Sequence, residues 1–162
     1  MDTLNLNKIF LFCFLFIFTL ISCQTKKDEE YKLEQAKIEC KNKKFIEGIE
    51  LYFFDYKYEE ISKIDVEIRG TQKKIFTIEV LEKMTDSSRN QWNSNIIQKI
   101  NLNDTIILTF QNNEKYFLTD FKYIVRPHFT MLSKNWGCDF YELKINNNLQ
   151  DGGIASFVKK EN

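Results

Sequence analysis

The sequence predicts an all-β protein, and within that class an antiparallel β-sandwich. Short segments in which apolar and polar residues alternate recur at fairly regular spacing, and turn residues separate them. No long helical pattern interrupts these segments in the body of the chain, which favours a sandwich. An up-and-down barrel is the alternative, and it would enclose a ligand cavity.

The N-terminal part of the body is compatible with a short helix or with a strand. Residues 34–36 are Glu, Gln and Ala, which favour a helix, whereas the apolar residues at every second position from 36 to 40 alternate as in a strand. Segments with strand periodicity follow at residues 48–56, 63–69 and 74–81. In the second of them, Ile64, Val66 and Ile68 alternate with charged residues, which is typical of a strand buried on one face.

The middle of the chain carries a weaker pattern. Residues 83–95 are polar and predict a loop, and residues 96–102 predict a short strand. The Asn-rich stretches 111–114 and 146–148 predict tight turns, because Asn tolerates left-handed backbone conformations. The remaining strands are predicted at residues 105–110, 116–125, 139–146 and 154–158.

Pro127 is expected to end the strand at 116–125, because its ring removes a hydrogen-bond donor from the ladder. The chain then has seven or eight short strands, which suits an immunoglobulin-like or a transthyretin-like arrangement. The order of the strands in the sheets does not follow from the pattern.

An apolar run at residues 9–21 precedes this body. The run is shorter than the about 20 residues that a membrane-spanning helix requires, and it has the length of the helical apolar region of a secretory signal peptide. Residues 20–23, which are Leu, Ile, Ser and Cys, resemble the lipobox of bacterial lipoproteins. This resemblance implies that Cys23 carries a diacylglycerol on its thiol and becomes the first residue after cleavage.

The residues that follow Cys23 make the predicted cellular location more specific. Lys27, Asp28 and Glu29 resemble the surface-export signal of Bacteroidota lipoproteins, in which a lysine followed by acidic residues lies behind the lipidated cysteine. The resemblance implies an outer-membrane protein that the lipid on Cys23 anchors to the membrane and that faces outward; a periplasm-facing orientation is the alternative. The predicted organisation is a signal peptide at 1–22, a lipidated cysteine with a flexible tether at 23–32, and a single β-sandwich domain at 33–162.

Cysteine usage predicts one disulfide. Cys13 leaves with the signal peptide and Cys23 is lipidated, so Cys40 and Cys138 remain as an even pair in an oxidising compartment. The alternative makes Cys138 a nucleophile that His128 activates. Cys138 lacks the second cysteine of a CxxC redox pair, which favours the disulfide.

Composition bears on the remaining classes of site. The chain has 23 basic and 23 acidic residues, and this balance argues against a nucleic-acid partner. A lone histidine among scattered carboxylates offers no metal-ligand spacing, and the acidic residues between 55 and 67 lack the spacing of a calcium loop. We therefore expect no metal, no cofactor and no catalytic motif.

Two further features concern the surface. Asp104, Thr105 and Ile106 resemble the short O-glycosylation motif of Bacteroidota extracytoplasmic proteins, which implies a glycan on Thr105. An apolar set near the predicted loop at 127–137 either forms an exposed patch or fills the core, with core filling favoured. This set comprises Phe129, Met131, Leu132 and Trp136.

Two functions from different classes follow. In the first, the protein is a binding or structural module on the cell envelope that meets an unknown protein or glycan partner through its loops, at 83–95 and 127–137. In the alternative, it is a carboxylate-dependent hydrolase that acts on envelope or environmental glycan. The sequence contains no cluster of His, Cys or Ser that would favour the enzyme.

Overall fold

A computed structural model describes residues 27–71, 73–80, 82–83, 91–131 and 134–159. The predicted signal peptide, Cys23 and the beginning of the tether lie outside these residues, as does Leu132. Within the described ranges, none of the helices has the length and apolar character that crossing a membrane would require.

The secondary structure consists mainly of short strands. In chain order the elements are α1 (residues 27–42), β1 (Phe45–Ile46), β2 (Ile49–Phe54), α2 (Tyr58–Ile61), β3 (Lys63–Arg69), β4 (Lys74–Glu79), β5 (Glu82–Lys83), β6 (Gln91–Ile96), β7 (Ile100–Asn101), β8 (Thr105–Thr109), β9 (Lys115–Phe129), β10 (Lys134–Ile145), β11 (Asn148–Asp151) and β12 (Ile154–Val158).

The chain forms two compact units. Unit 1 comprises Met1–Lys41 and Val125–Cys138, and unit 2 comprises Asn42–Ile124 and Asp139–Asn162. The division falls inside β9 and β10. The prediction of a single domain over residues 33–162 stays a prediction.

Two packed sheets make up the β-structure, and the predicted all-β, sandwich-like fold is confirmed. One sheet has the strand order β11-β10-β9-β8-β3-β4 and the other has the order β12-β2-β6-β5, while β1 and β7 form a separate pair. The described strands thus form separate sheets and not the single closed sheet of the alternative barrel.

One hydrophobic core fills unit 2, and residues of both sheets contribute to it. Alternate residues of β2 and β3 are buried, as the period-two pattern predicts for strands with one face on a core. At the centre of an aromatic group, the Phe53 ring centroid lies 5.6 Å from that of Phe110 and 5.3 Å from that of Phe157. The predicted turn between β10 and β11 is confirmed, because Asn146 and Asn147 adopt positive φ angles of 50° and 67°.

Two strand predictions in unit 2 are wrong. Gln91–Ile96, predicted mostly as loop, is β6, and it pairs antiparallel with β2 along its whole length. Its side chains are mostly polar, so the backbone ladder holds it and the alternation pattern could not reveal it. The last strand, β12, is an edge strand as predicted, but it pairs parallel to β2 within a fold that we expected to be antiparallel throughout.

Two predictions near the unit boundary also need correction. β9 does not end at Pro127 but continues to Phe129. The register with β8 covers only the first residues of β9, so further along β9 has one neighbour in its sheet and tolerates a residue without an N–H. Residues 27–42 are helical, which decides between helix and strand and makes the predicted tether helical from residue 27 onward.

Candidate functional site

A pocket of about 370 Å³ opens in unit 2 beside the β1–β7 pair. The turn after β3, the start of β4 and both strands of the pair contribute to its walls. Ile68 is buried at the end of β3, whereas the ring of Phe45 is partly exposed. The pocket is lined by Phe45, Ile68, Thr71, Lys74, Lys99, Asn101 and Asp104.

Asp104 fixes the shape of this pocket. It is only 6% exposed, and its Oδ1 accepts hydrogen bonds from the Thr71 backbone N–H at 2.9 Å and from the Thr71 hydroxyl at 3.2 Å. Its Oδ2 accepts a hydrogen bond from the Asn101 N–H at 3.1 Å. A Cβ atom on Gly70 would clash with this carboxylate, so glycine is required where the two loops meet. The buried charge thereby connects the turn after β3 to the turn after β7.

Two lysines give the pocket its charge. The Lys99 Nζ lies 4.6 Å from the centroid of the Phe45 ring, and the Lys74 Nζ donates a hydrogen bond to Gln98 Oε1 at 3.3 Å. In the described part of the chain neither ammonium group pairs with a carboxylate, whereas the neighbouring Lys73 lies 3.5 Å from Glu67 Oε1. The pocket therefore has two cationic groups against one carboxylate, and that carboxylate is already hydrogen-bonded on both oxygens.

This arrangement suits a small anionic ligand. The volume lies near the lower end of the range for ligand pockets, and the walls combine an aromatic ring with hydroxyl, amide and ammonium groups. This pocket could not be predicted from the sequence, because Lys74 and Lys99 are far apart in sequence and belong to no motif. Of its lining residues, only Asp104 belongs to a sequence motif, the predicted O-glycosylation motif at residues 104–106.

In unit 1, the predicted disulfide between Cys40 and Cys138 is confirmed. The two Cα atoms are 5.3 Å apart across a sequence separation of 98 residues. The bond joins α1 to β10 and leaves Cys138 without a free thiol, so the alternative in which His128 activates Cys138 does not apply to the oxidised protein.

Further contacts hold α1 against β10 inside unit 1. The Lys134 Nζ forms an ion pair with Glu29 Oε1 at 2.6 Å, and the same Nζ lies 4.5 Å from the centroid of the Trp136 ring. The Trp136 Nε1 is buried and has no hydrogen-bond partner. A groove of about 390 Å³ runs beside these contacts, and Ile38 and Trp136 are among its lining residues.

Two large apolar side chains of unit 1 point into solvent. Phe129, at the end of β9, is 74% exposed, and Met131, two residues later, is fully exposed. Core filling is therefore the wrong interpretation for these two residues, and the exposed-patch interpretation is confirmed for them. Trp136 is half-buried.

The other predicted residues do not converge on one site. Lys27, Asp28 and Glu29 lie at the beginning of the described helix α1, and Cys23 lies outside the described residues. Thr105 is half-buried and opens β8 opposite Arg69, so the glycan on Thr105 stays a prediction. Among the described residues, His, Cys, Asp and Glu side chains form no group of three or more that could hold a metal ion.

Among the residues that the structure describes, the carboxyl groups with shifted pKa values are all shifted downward. Lys159 lowers the pKa of Glu60, Arg69 lowers that of Glu67, and Lys144 lowers that of Asp120, in each case through a side-chain hydrogen bond. A glycoside hydrolase needs one carboxylic acid with a raised pKa as its proton donor. These three groups are shifted in the opposite direction, so they give the hydrolase alternative no support.

Comparison with known proteins identified no relative of this chain. No protein-family model matches the chain, and neither a curated protein nor a solved structure matches it significantly. The ligand proposal therefore depends on the geometry of the pocket, and the anchor proposal depends on the sequence around Cys23.

Proposed function

We propose that the protein is a lipid-anchored binding module of the bacterial outer membrane whose unit 2 pocket takes an acidic sugar of a glycan. Cys23 carries the anchor, and the charged residues behind it direct the domain to the cell surface. The observation that carries the ligand proposal is a pair of lysines, Lys74 and Lys99, that line one pocket and have no carboxylate partner among the described residues.

The chemistry of the pocket favours a sugar over a peptide. A uronate carboxylate can accept hydrogen bonds from both ammonium groups, and such charge-assisted bonds are stronger than neutral ones. Hydroxyl groups of the sugar would find partners in Thr71 and Asn101, which line the same pocket. Extended peptides are bound mostly along sheet edges or long grooves, whereas this site is a small concavity.

The ligand proposal is tested by binding of oligogalacturonate to the full-length lipoprotein in detergent, with neutral oligogalactose as the control ligand. We expect binding of the acidic ligand only, and affinity that falls as salt rises. The double variant Lys74→Ala/Lys99→Ala should bind at least tenfold more weakly, because hydrogen bonds to charged groups contribute about 1.5–3 kcal/mol.

The matched control is Lys115→Ala, which removes an exposed lysine of β9 outside the pocket lining and should leave affinity unchanged. The ligand proposal is wrong if the double variant binds oligogalacturonate as tightly as the wild type. Equal binding of tetraglutamate would instead assign the pocket to an acidic peptide.

The anchor is tested separately by Cys23→Ser. We expect this variant to lose palmitate labelling and membrane retention, and unchanged labelling would contradict the anchor. For the outward orientation, replacing Lys27, Asp28 and Glu29 with Ala should reduce the access of added protease on intact cells without reducing total protein. The Glu29 change also removes the ion pair with Lys134, so Lys134→Ala is the control that breaks this pair and keeps the export signal.

A further inference from the structure

The direction of α1 in unit 1 is defined by two contacts near its two ends. Glu29 pairs with Lys134, and Cys40 is bonded to Cys138. The helical rise between Glu29 and Cys40 is about 16 Å, and the strand rise between Lys134 and Cys138 is about 13 Å. The similar lengths show that α1 runs alongside the first part of β10, with its N-terminal end next to Lys134.

Two exposed apolar residues, Phe129 and Met131, lie at this same end of unit 1. Phe129 is the last residue of β9, and Met131 lies between it and Lys134, the first residue of β10. Both are large apolar side chains in solvent, two positions apart in sequence, and apolar surface that contacts water is stabilised when a partner or a membrane covers it. We call this pair, Phe129 and Met131, the apolar tip.

The lipid anchor cannot be far from the apolar tip. Cys23 precedes residue 27, where the described helix begins, by four residues. Even a fully extended chain of this length spans at most about 14 Å. A diacylglycerol on Cys23 would therefore hold the N-terminal end of α1, and the apolar tip beside it, close to the surface of the bilayer.

We propose that the apolar tip inserts into the interfacial region of the bilayer that holds the lipid anchor. This inference rests on the proposed lipidation of Cys23. The acyl chains supply the affinity, and Phe129 and Met131 form a second contact that sets the orientation of unit 1 on the membrane. Aromatic and apolar side chains are favoured at this depth because their apolar parts leave water there.

The test uses the full-length lipidated protein in vesicles of phosphatidylethanolamine and phosphatidylglycerol that contain brominated lipid, which quenches nearby tryptophan. In Phe129→Trp, we expect the added fluorescence to be quenched at least twofold and shifted to shorter wavelength. The matched control is Leu149→Trp, at another exposed apolar position, in β11 of unit 2. Its added fluorescence should be unchanged. Quenching of Trp92 and Trp136 in the wild type is subtracted from both.

The outcomes separate this proposal from the anchor. If the protein carries palmitate and sediments with the vesicles but the tryptophan at position 129 is not quenched, the apolar tip does not contact lipid and the inference is wrong. Equal quenching at positions 129 and 149 also overturns it, since the contact would not be specific to the tip. Absence of palmitate from the wild type overturns the anchor and, with it, the inference that depends on it.

Discussion

Unit 2 and unit 1 are stabilised by different means. Unit 2 has a continuous core in which side chains from both sheets are fully buried. In the described part of unit 1, Ala36 is the only buried apolar residue, and a disulfide, an ion pair and a cation–π contact take the place of a core. A helix and a pair of strand ends cannot bury enough apolar surface for a core, so a covalent cross-link is the expected substitute.

The difference also separates the proposed roles. The rigid core of unit 2 supports a pocket whose loops are connected by a buried carboxylate. Phe129 and Met131 of unit 1 are left in solvent, at the end of the helix that leads to the proposed lipid anchor. A buried phenylalanine such as Phe53 therefore stabilises the fold, whereas the exposed Phe129 contributes little to stability and is available to a partner.

The largest effect is expected from Phe53→Ala in unit 2. Phe53 is fully buried and packs against the rings of Tyr56, Phe110 and Phe157. Truncation removes this contact area and leaves a cavity, so the free energy of unfolding should fall by about 3–5 kcal/mol. Chemical denaturation followed by circular dichroism measures it.

The control for this variant is Phe129→Ala in unit 1, where the ring is mostly in solvent. A surface change of this kind should alter the free energy of unfolding by less than about 0.5 kcal/mol. Similar losses for Phe53→Ala and Phe129→Ala would contradict the contrast between a unit with a core and a unit without one.

A smaller loss is expected from Cys40→Ala. The disulfide closes a loop with a sequence separation of 98 residues, which includes most of unit 2. Removing it should cost about 2–4 kcal/mol by releasing the unfolded chain, and it should speed amide exchange in α1. The double variant Cys40→Ala/Cys138→Ala should be no less stable than either single variant.

The thiol content provides an independent check of the cross-link. In unreduced, denatured protein, Cys40 and Cys138 should not react with a thiol reagent. Two reactive thiols at these positions would show that unit 1 is not held as described, whatever the melting temperatures of the variants.

The periodicity of the sequence predicted the strands that have one buried face. Ile64, Val66 and Ile68 are buried as their alternation indicates, because a core on one side imposes a period of two. The same rule missed β6, whose Gln, Asn and Ser side chains carry no alternation. Its place depends mainly on the ladder to β2, which is a long-range contact that no local pattern encodes.

The disulfide and the pocket also differ in whether the sequence alone could predict them. The disulfide was predictable, because the predicted processing and compartment would leave only Cys40 and Cys138 to pair. The pocket was not predictable, because Lys74 and Lys99 meet only after β4 and β7 are placed beside the turns that Asp104 connects. For Phe129, core filling was favoured over an exposed patch because phenylalanine is usually buried, and the structure shows the exposed alternative.

The smallest effect concerns an ion pair at the edge of unit 2, between α2 and the residue after β12. Both carboxylate oxygens of Glu60 accept hydrogen bonds from Lys159 Nζ, at 2.7 and 2.8 Å. Glu60 Oε2 also accepts one from the Lys57 N–H at 2.9 Å. The Lys159 backbone N–H donates to the Phe54 carbonyl at 3.1 Å and continues the parallel pairing. The ion pair therefore stabilises the C-terminal end of the edge strand β12 beside β2.

This pair predicts a specific dependence of stability on pH. Lys159 lowers the pKa of Glu60 below its ordinary value of 4.5. A carboxyl group whose pKa is lower in the folded state stabilises the fold above its unfolded pKa, and this contribution is lost as pH falls through the folded pKa. Lys159→Ala should therefore reduce the free energy of unfolding by about 1 kcal/mol or less near neutral pH, and the difference from wild type should shrink as pH falls below 4.5. Denaturation at a series of pH values measures this difference.

The control is Lys122→Ala, which breaks the more exposed pair with Glu142 and should have a smaller effect near neutral pH. If the loss of unfolding free energy in Lys159→Ala stayed constant down to strongly acidic pH, Glu60 would not be the partner through which Lys159 stabilises the fold.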